Sequence, residues 1–313
     1  MKIIFTAFLF ILTILPFSKN RSWVFRMPLY LSLQVLVISL LYFVYCSITL
    51  SDFYDWFYLV ILLFVLVIQL KRILGFALDF KRQVPDYDPL KFSSNTFSLI
   101  SYNVYQDNEK YDEVVSYLKS VNSDILLLME VDAVWAQKIK TLDYSYGVNV
   151  ALDNTYGMIL LSKYPIIKSE ILYRVEKDVP SIVADIKIGE KVVHFCTAHP
   201  RPPVPPESDS SIPKELELIH LANSIKSVTH DHILVVGDMN DVPWSASSKK
   251  FKRTTKLKDP RIGRGLFGTF PSYFPIMIPL DHIYCSADFS VKEIKTLEAN
   301  GSDHLPIYVE FGL

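Results

Sequence analysis

The chain has 313 residues, half of them hydrophobic and 21% charged, with a net charge of −1. A mean hydropathy of +0.24 excludes a disordered chain and is too apolar for an ordinary soluble domain. Three cysteines (Cys46, Cys196 and Cys285) with no C-x-x-C pair exclude a disulfide framework and give no hint of a cysteine zinc site.

The near-zero charge conceals a split. Eight of the 32 basic and three of the 33 acidic residues fall in residues 1–85, which leaves 24 basic against 30 acidic residues in the remainder. An acidic C-terminal part argues against a broad, sequence-blind grip on nucleic acid.

Residues 3–17 form a first apolar run, read as a membrane helix. The alternative is a signal-peptide hydrophobic region, but no A-x-A-like site follows it. Met27–Ser51 is an uncharged run of 25 residues, long enough to cross a hydrocarbon core of roughly 30 Å with some tilt, and predicts a helix over 28–50. A third helix is expected over 56–78, with Lys71 and Arg72 inside a bundle or snorkelling. Residues 1–83 thus read as a transmembrane region of about three helices. Lys19, Arg21 and Arg26, and Lys71, Arg72, Lys81 and Arg82, mark the cytoplasmic loops, whereas Asp52 and Asp55 mark the outer one. A multi-pass protein of the cytoplasmic membrane is expected, its C-terminal domain facing the cytoplasm. Residues 84–95 read as a linker, extended by Pro85 and Pro89 and solvated by polar residues.

Over 96–313, short apolar runs alternate with helical patterns. Strands are expected at Thr96–Tyr102, Ile125–Met129, Met158–Leu161, Ile182–Ile188, Val192–Thr197, Ile233–Val236, His282–Cys285 and Ile307–Phe311. Helices are expected over Tyr111–Val121 and from about Pro213, where Leu218, Leu221, Ile225 and Val228 share a face. Strands outnumber helices, which favours a mixed sheet or two packed sheets with outer helices over a parallel Rossmann order. Neither G-x-G-x-x-G nor G-x-x-x-x-G-K-[ST] occurs.

Polar clusters recur where strands end: Asn103, Glu130, His199, Asp238-Met239-Asn240-Asp241, and Asp281-His282 with Ser302-Asp303-His304. A carboxylate or imidazole after a buried strand is costly unless it is paired, exposed at a rim or holding an ion. Each cluster alone also fits a turn, a strand-end acid or a packing histidine. Five such coincidences are far less economical than one site. Carboxylates, histidines and asparagines gathered this way suit a hard cation, Mg²⁺ or Mn²⁺, and phosphoryl transfer.

The ordered set resembles the endonuclease/exonuclease/phosphatase family, the deoxyribonuclease I-like fold. The pieces that carry it are SYN at 101–103, LLLMEVD at 126–132, GMILLSKYPI at 157–166, TAHP at 197–200, GDMND at 237–241, LDHIY at 280–284 and GSDHLPI at 301–307. The resemblance implies a four-layer α/β sandwich and a Mg²⁺-dependent phosphoesterase. It is nearest to a membrane-anchored bacterial branch with an HPxPP loop and a GDxNDVxWS segment. It implies Glu130 as the principal metal carboxylate, with Asn103 beside it and Asp303 a further ligand. Asp238 then orients or deprotonates water, Asn240 holds the phosphate, His199 and His304 stabilise phosphoryl oxygens, and Asp281 keeps His304 protonated. Two departures stand out: Met129 replaces a frequent Gln, and Tyr105 stands where some nucleases carry an Asp.

Substrate candidates are Arg201 in the HPRPP loop and Arg261 and Arg264 in DPRIGRG, for a second phosphate or an acidic head group. Surface salt bridging is their alternative. Trp244 is a candidate to stack on a base or sugar, or else packs beneath its loop. Lys249, Lys250, Lys252 and Arg253 read as a solvated helix face or a contact to anionic lipid. The leading function is a membrane-anchored phosphodiesterase acting on nucleic acid or a small phosphodiester, with no protein partner. Its alternatives are a lipid- or inositol-phosphate-directed hydrolase and a non-catalytic membrane-bound module.

Overall fold

The computed structural model describes residues 2–77, 80–90 and 96–313. Four helices come first: α1 (Lys2–Ile14), α2 (Trp23–Tyr30), α3 (Ser32–Ile48) and α4 (Phe53–Ile73). Asp52 caps α4 by accepting from the amides of Tyr54 and Asp55, and Lys2 closes that end of the bundle with a 2.7 Å ion pair to Asp55. The helices carry a belt of bare apolar side chains; Leu41, Ile48, Phe53 and Val60 are each more than 60% exposed.

Among the described residues one helix, Phe53–Phe76, is long and apolar enough to cross a membrane. The span expected over 28–50 is not one straight helix. Trp23–Tyr30 and Ser32–Ile48 meet at a 66° bend, so they form a second span only if a broken one is counted, and Lys2–Phe17 is shorter still. The cause of the break is local: Pro28 lacks an amide hydrogen and Ser32 Oγ donates to the Leu29 carbonyl at 2.7 Å. The expected end of the third span at Leu78, and residues 91–95 of the expected linker, lie outside the described residues.

The rest is a sandwich. One mixed sheet has the order β10-β11-β1-β2-β4-β3, and the other β5-β6-β7-β8-β9. The first contains β1 (Thr96–Asn103), β2 (Ile125–Met129), β3 (Tyr146–Val150), β4 (Met158–Ser162), β10 (Ser290–Thr296) and β11 (Ile307–Gly312). The second contains β5 (Ile166–Leu172), β6 (Ser181–Ile188), β7 (Lys191–Thr197), β8 (His232–Asp238) and β9 (Asp281–Cys285). Alternate side chains, among them Leu99, Leu127, Ile182, Phe195, Leu234 and Phe311, fill the space between the sheets. The opposite face of the first sheet packs under α5 (Tyr111–Val121) and α6 (Ala133–Ile139), around Trp135. That of the second packs under α7 (Ile212–Ser227) and α8 (Ala246–Thr255), around Leu221 and Phe251. The four-layer α/β sandwich expected from the sequence is the observed one.

β3, β5 and β10, and the short helix α6, escaped the sequence reading. β5 shows why: its central residues are exposed, so it lacks the buried run that marks its neighbours. The segment expected to be a solvated linker is extended but partly buried. Val84 lies 1% exposed in the inter-sheet core, and the backbones of Pro85 and Tyr87 bond to Val291 along the edge strand β10.

The N-terminal helices lie directly on the sandwich. Leu29, Tyr30, Ile73 and Phe76 form one buried cluster with Val242, Trp244, Ile278 and Leu280. Gln34 donates to the Ile276 carbonyl at 3.0 Å, and Trp23 N to Asp209 O at 3.1 Å.

Candidate active site

The parallel pairs β1/β2 and β7/β8 deliver Asn103, Glu130, His199 and Asp238 to one rim, because strands aligned in parallel end together. β9 runs antiparallel to β8 in a register that sets Asp281 opposite Asp238. Gly237, at φ 149°, lets β8 press against the turn that bears His199; a Cβ there would stand 2.0 Å from the Ala198 carbonyl oxygen. Glu130 sits in the left-handed region at φ 59°, which is costly for a residue with a side chain and turns its carboxylate into the cleft.

Glu130, His199, Asp238, Asn240, Asp303 and His304 line one cavity of about 370 Å³, with Asn103 and Asp281 immediately behind them. Asn103 Nδ2 donates to Glu130 Oε1 at 2.7 Å, and Gln106 N donates to the other oxygen at 3.3 Å. Asp281 Oδ2 lies 2.8 Å from His304 Nδ1, while His304 Nε2 points at Asp238 Oδ2, 3.6 Å away. His199 Nε2 approaches the same Asp238 oxygen at 3.8 Å, and its buried Nδ1 has no partner. The two imidazoles thus flank one carboxylate.

Burial opposes the charge on His304, but the carboxylates of Asp281 and Asp238 outweigh it and raise its pKa to about 10. Burial likewise raises Glu130 and Asp303 above the ordinary carboxylate range, against the pull of His199 on Glu130 and of His304 on both. Among the described residues no Lys or Arg pairs with Glu130, Asp238, Asp281 or Asp303. Four carboxylates in one cleft, countered by two imidazoles alone, fit a divalent cation with oxygen ligands. Asp238, Asp281 and His304 also lie close enough together to hold an ion. The same three groups also form an ion-paired network, with His304 Nδ1 2.8 Å from Asp281 and Nε2 3.6 Å from Asp238.

Met129, where a polar neighbour was expected, lies beneath Asp238 and takes its amide through sulfur at 3.2 Å. Tyr105 offers no carboxylate and stands 38% exposed, with its amide on Asn103 Oδ1.

The four substrate candidates do not join this cluster as free groups. Arg201 is at the rim but engaged by Glu176, Asp178 and Glu207, and it lies over the Tyr156 ring at 4.7 Å. Arg261 is wholly buried against Asp259 and donates to the Asp281 carbonyl at 2.9 Å. Arg264 holds Asp86 and the Val84 carbonyl. Trp244 packs edge-on against Phe76 and donates to the Leu29 carbonyl at 2.8 Å, so it has no face open to a base.

Sequence reasoning missed Met27, Tyr30 and Lys214. Tyr30 Oη donates to the Asn240 carbonyl at 2.8 Å, and buried Lys214 reaches both Tyr30 Oη (3.0 Å) and Asp241 Oδ1 (3.0 Å). Asp241 also accepts from Ser245 and Ser247, which makes it the anchor of the GDMND turn. Tyr30 lies within an apolar run whose composition reads as membrane, so nothing local marked it.

The sandwich and its rim of acids and imidazoles define a phosphoesterase-type α/β fold. The family pattern of the Endonuclease/Exonuclease/phosphatase family matches residues 100–304, and the chain belongs to that family, whose members are metal-dependent phosphoester hydrolases. D. rerio TDP2 complexed with single strand DNA product is similar at 18% identity and a TM-score of 0.59, over 70% of this chain and 99% of that one. An endonuclease/exonuclease/phosphatase from Bacteroides vulgatus is similar at 17% identity and a TM-score of 0.57, over 70% and 100%. A family protein from Bacteroides thetaiotaomicron is similar at 17% and 0.58, over 69% and 97%. At such identities the likeness is one of fold. No curated protein matches the chain.

Proposed function

We propose that the protein is a membrane-anchored, Mg²⁺- or Mn²⁺-dependent phosphodiesterase. The observation that carries this reading is the single cleft in which Asp281–His304 and His199 flank Asp238 beside Glu130 and Asn103. Glu130, with Asn103 and Asp303, would hold the cation, whose chemistry is to neutralise charge on a phosphoryl oxygen. Asp238 positions water and takes its proton as the water oxygen attacks phosphorus. The P–O bond to the leaving alkoxide breaks, that oxygen takes up a proton from solvent, and Asp238 releases to solvent the one it took, giving an alcohol and a phosphomonoester. His304, kept charged by Asp281, and His199 stabilise the negative oxygens, and Asn240 holds the phosphate in place.

The bare apolar belt and the helix Phe53–Phe76 support residues 1–83 as the membrane region and 96–313 as the catalytic domain. The basic residues at 19–26 and 71–82 support a cytoplasmic orientation of that domain.

The test uses full-length protein in lipid nanodiscs with bis(p-nitrophenyl) phosphate and p-nitrophenyl phosphate, with and without Mg²⁺. Diester turnover that needs the metal and disappears in His304→Ala is expected. Monoester turnover alone would make it a phosphatase, and inertness toward both would leave a membrane-bound binding module.

A further inference from the structure

Six polar side chains of the cleft account for the phosphate and its cation; the remainder of the cavity is a different surface. That surface is built from Met27 and Tyr30 of α2 together with Val204, Phe270, Ile278 and Leu280, and it adjoins the phosphate groups where Phe270 packs 4.9 Å from the His304 ring. Resting on the phosphodiesterase reading, we propose that this wall is a binding subsite for an apolar ester arm, so that the substrate is an amphiphilic phosphodiester and not a polynucleotide.

Three observations bear on the choice. A nucleic-acid strand needs cations along its track, but Arg201, the arginine at this rim, is already neutralised by three carboxylates. A nucleobase needs polar partners for its edges; here the Tyr30 hydroxyl is taken by Asn240 and that of Tyr156 by Glu207, and Met27, Val204, Phe270, Ile278 and Leu280 offer none. The wall is also shared with the N-terminal helices. α2 leads through the 66° bend into α3, whose outer face carries Leu40, Leu41 and Val44 bare. The exposed Met27 of α2 and the bare side chains of α3 thus belong to the same pair of helices that walls the cleft.

Tyr30 joins the two halves of the site. It packs in one cluster with Ile278 and Leu280 while its hydroxyl donates to the Asn240 carbonyl, so the helix that accepts the arm also fixes the loop that would hold the phosphate.

The test follows p-nitrophenolate release from alkyl p-nitrophenyl phosphates, methyl to octyl, by full-length protein in nanodiscs. Each methylene that leaves water for the pocket raises kcat/KM by up to about fourfold, so at least about tenfold is expected from butyl to octyl. Partition into the disc also favours octyl, but it is the same for every variant. The decisive readout is therefore the octyl-to-methyl ratio in Met27→Asp and Ile278→Ser, expected to fall at least about fivefold. A ratio unmoved by both substitutions would overturn the subsite while leaving the phosphodiesterase intact. If no diester is cleaved at all, the function above fails, and the subsite is then judged by calorimetry with octylphosphonate against methylphosphonate. Preferential octyl binding that Met27→Asp removes would sustain it, and equal binding would end it.

Discussion

Lys214 and Asp241 form a buried ion pair beneath the proposed phosphate loop, and Lys214→Met tests how that loop is held. Both side chains are almost wholly inaccessible, at 3.0 Å from one another. Burial works against the Asp241 charge, but Lys214 and the hydroxyls of Ser247 and Ser245 outweigh it and hold its pKa below the usual range. Methionine preserves the bulk and removes the cation. Breaking a buried pair from one side costs about 3–5 kcal/mol. At about 2–4 °C per kcal/mol, a 4 kcal/mol loss lowers Tm by roughly 8–16 °C.

The pH dependence follows from the sign of the shift. In the native protein Asp241 contributes stability above its ordinary pKa that is lost as pH falls through the depressed one. Without Lys214, burial dominates and raises that pKa, so the deficit shrinks from pH 8 toward pH 5; burial also lowers the Lys214 pKa, which bounds the deficit on the alkaline side. The assay is thermal unfolding of wild type, Lys214→Met and Lys214→Met/Asp241→Asn between those limits. The double variant recovers at least half of the lost Tm, because its neutral amide no longer carries a stranded charge. A double variant no more stable than Lys214→Met, or a deficit constant with pH, would refute the reasoning.

Asp281→Asn removes the carboxylate 2.8 Å from His304 Nδ1, the first of the charges that raise the imidazole's pKa, and lowers that pKa toward its ordinary value. Turnover at pH 8 then falls about tenfold with little change at pH 6, as a kcat/KM profile would show. Glu130→Gln weakens Mn²⁺ binding measured by electron paramagnetic resonance at least about tenfold, and an unchanged affinity would remove Glu130 from the metal site. Trp244→Phe loses the indole donor to Leu29 and lowers Tm by only a few degrees, whereas Trp244→Ala costs about 3–5 kcal/mol. A change confined to KM in either would restore Trp244 as a substrate contact. Truncation to residues 86–313 strips Leu29, Tyr30 and Phe76 from Ile278 and Leu280, so the fragment aggregates or melts earlier than the full chain, as light scattering during heating would report.

The periodicity of apolar residues by itself determined the central strands of both sheets, because strands buried on both faces are continuous apolar runs in any context. The rim acids were legible for a related reason: Glu130 and Asp238 end such runs, and a charge there requires a function or a partner. Exposed β5 and edge strand β10 gave no such contrast. Only the tertiary structure decided what the arginines do. Arg264 meets Asp86, 178 residues away, a pairing that no local pattern records, and although Arg261 pairs with Asp259 two residues before it, only the fold buries that pair against the Asp281 carbonyl. It also decided that Tyr30, 210 residues away from Asn240 in sequence, shares its site. An apolar run tells that a helix leaves water; whether it enters lipid, or turns at Pro28 to wall a cleft, is set by the surface it packs against.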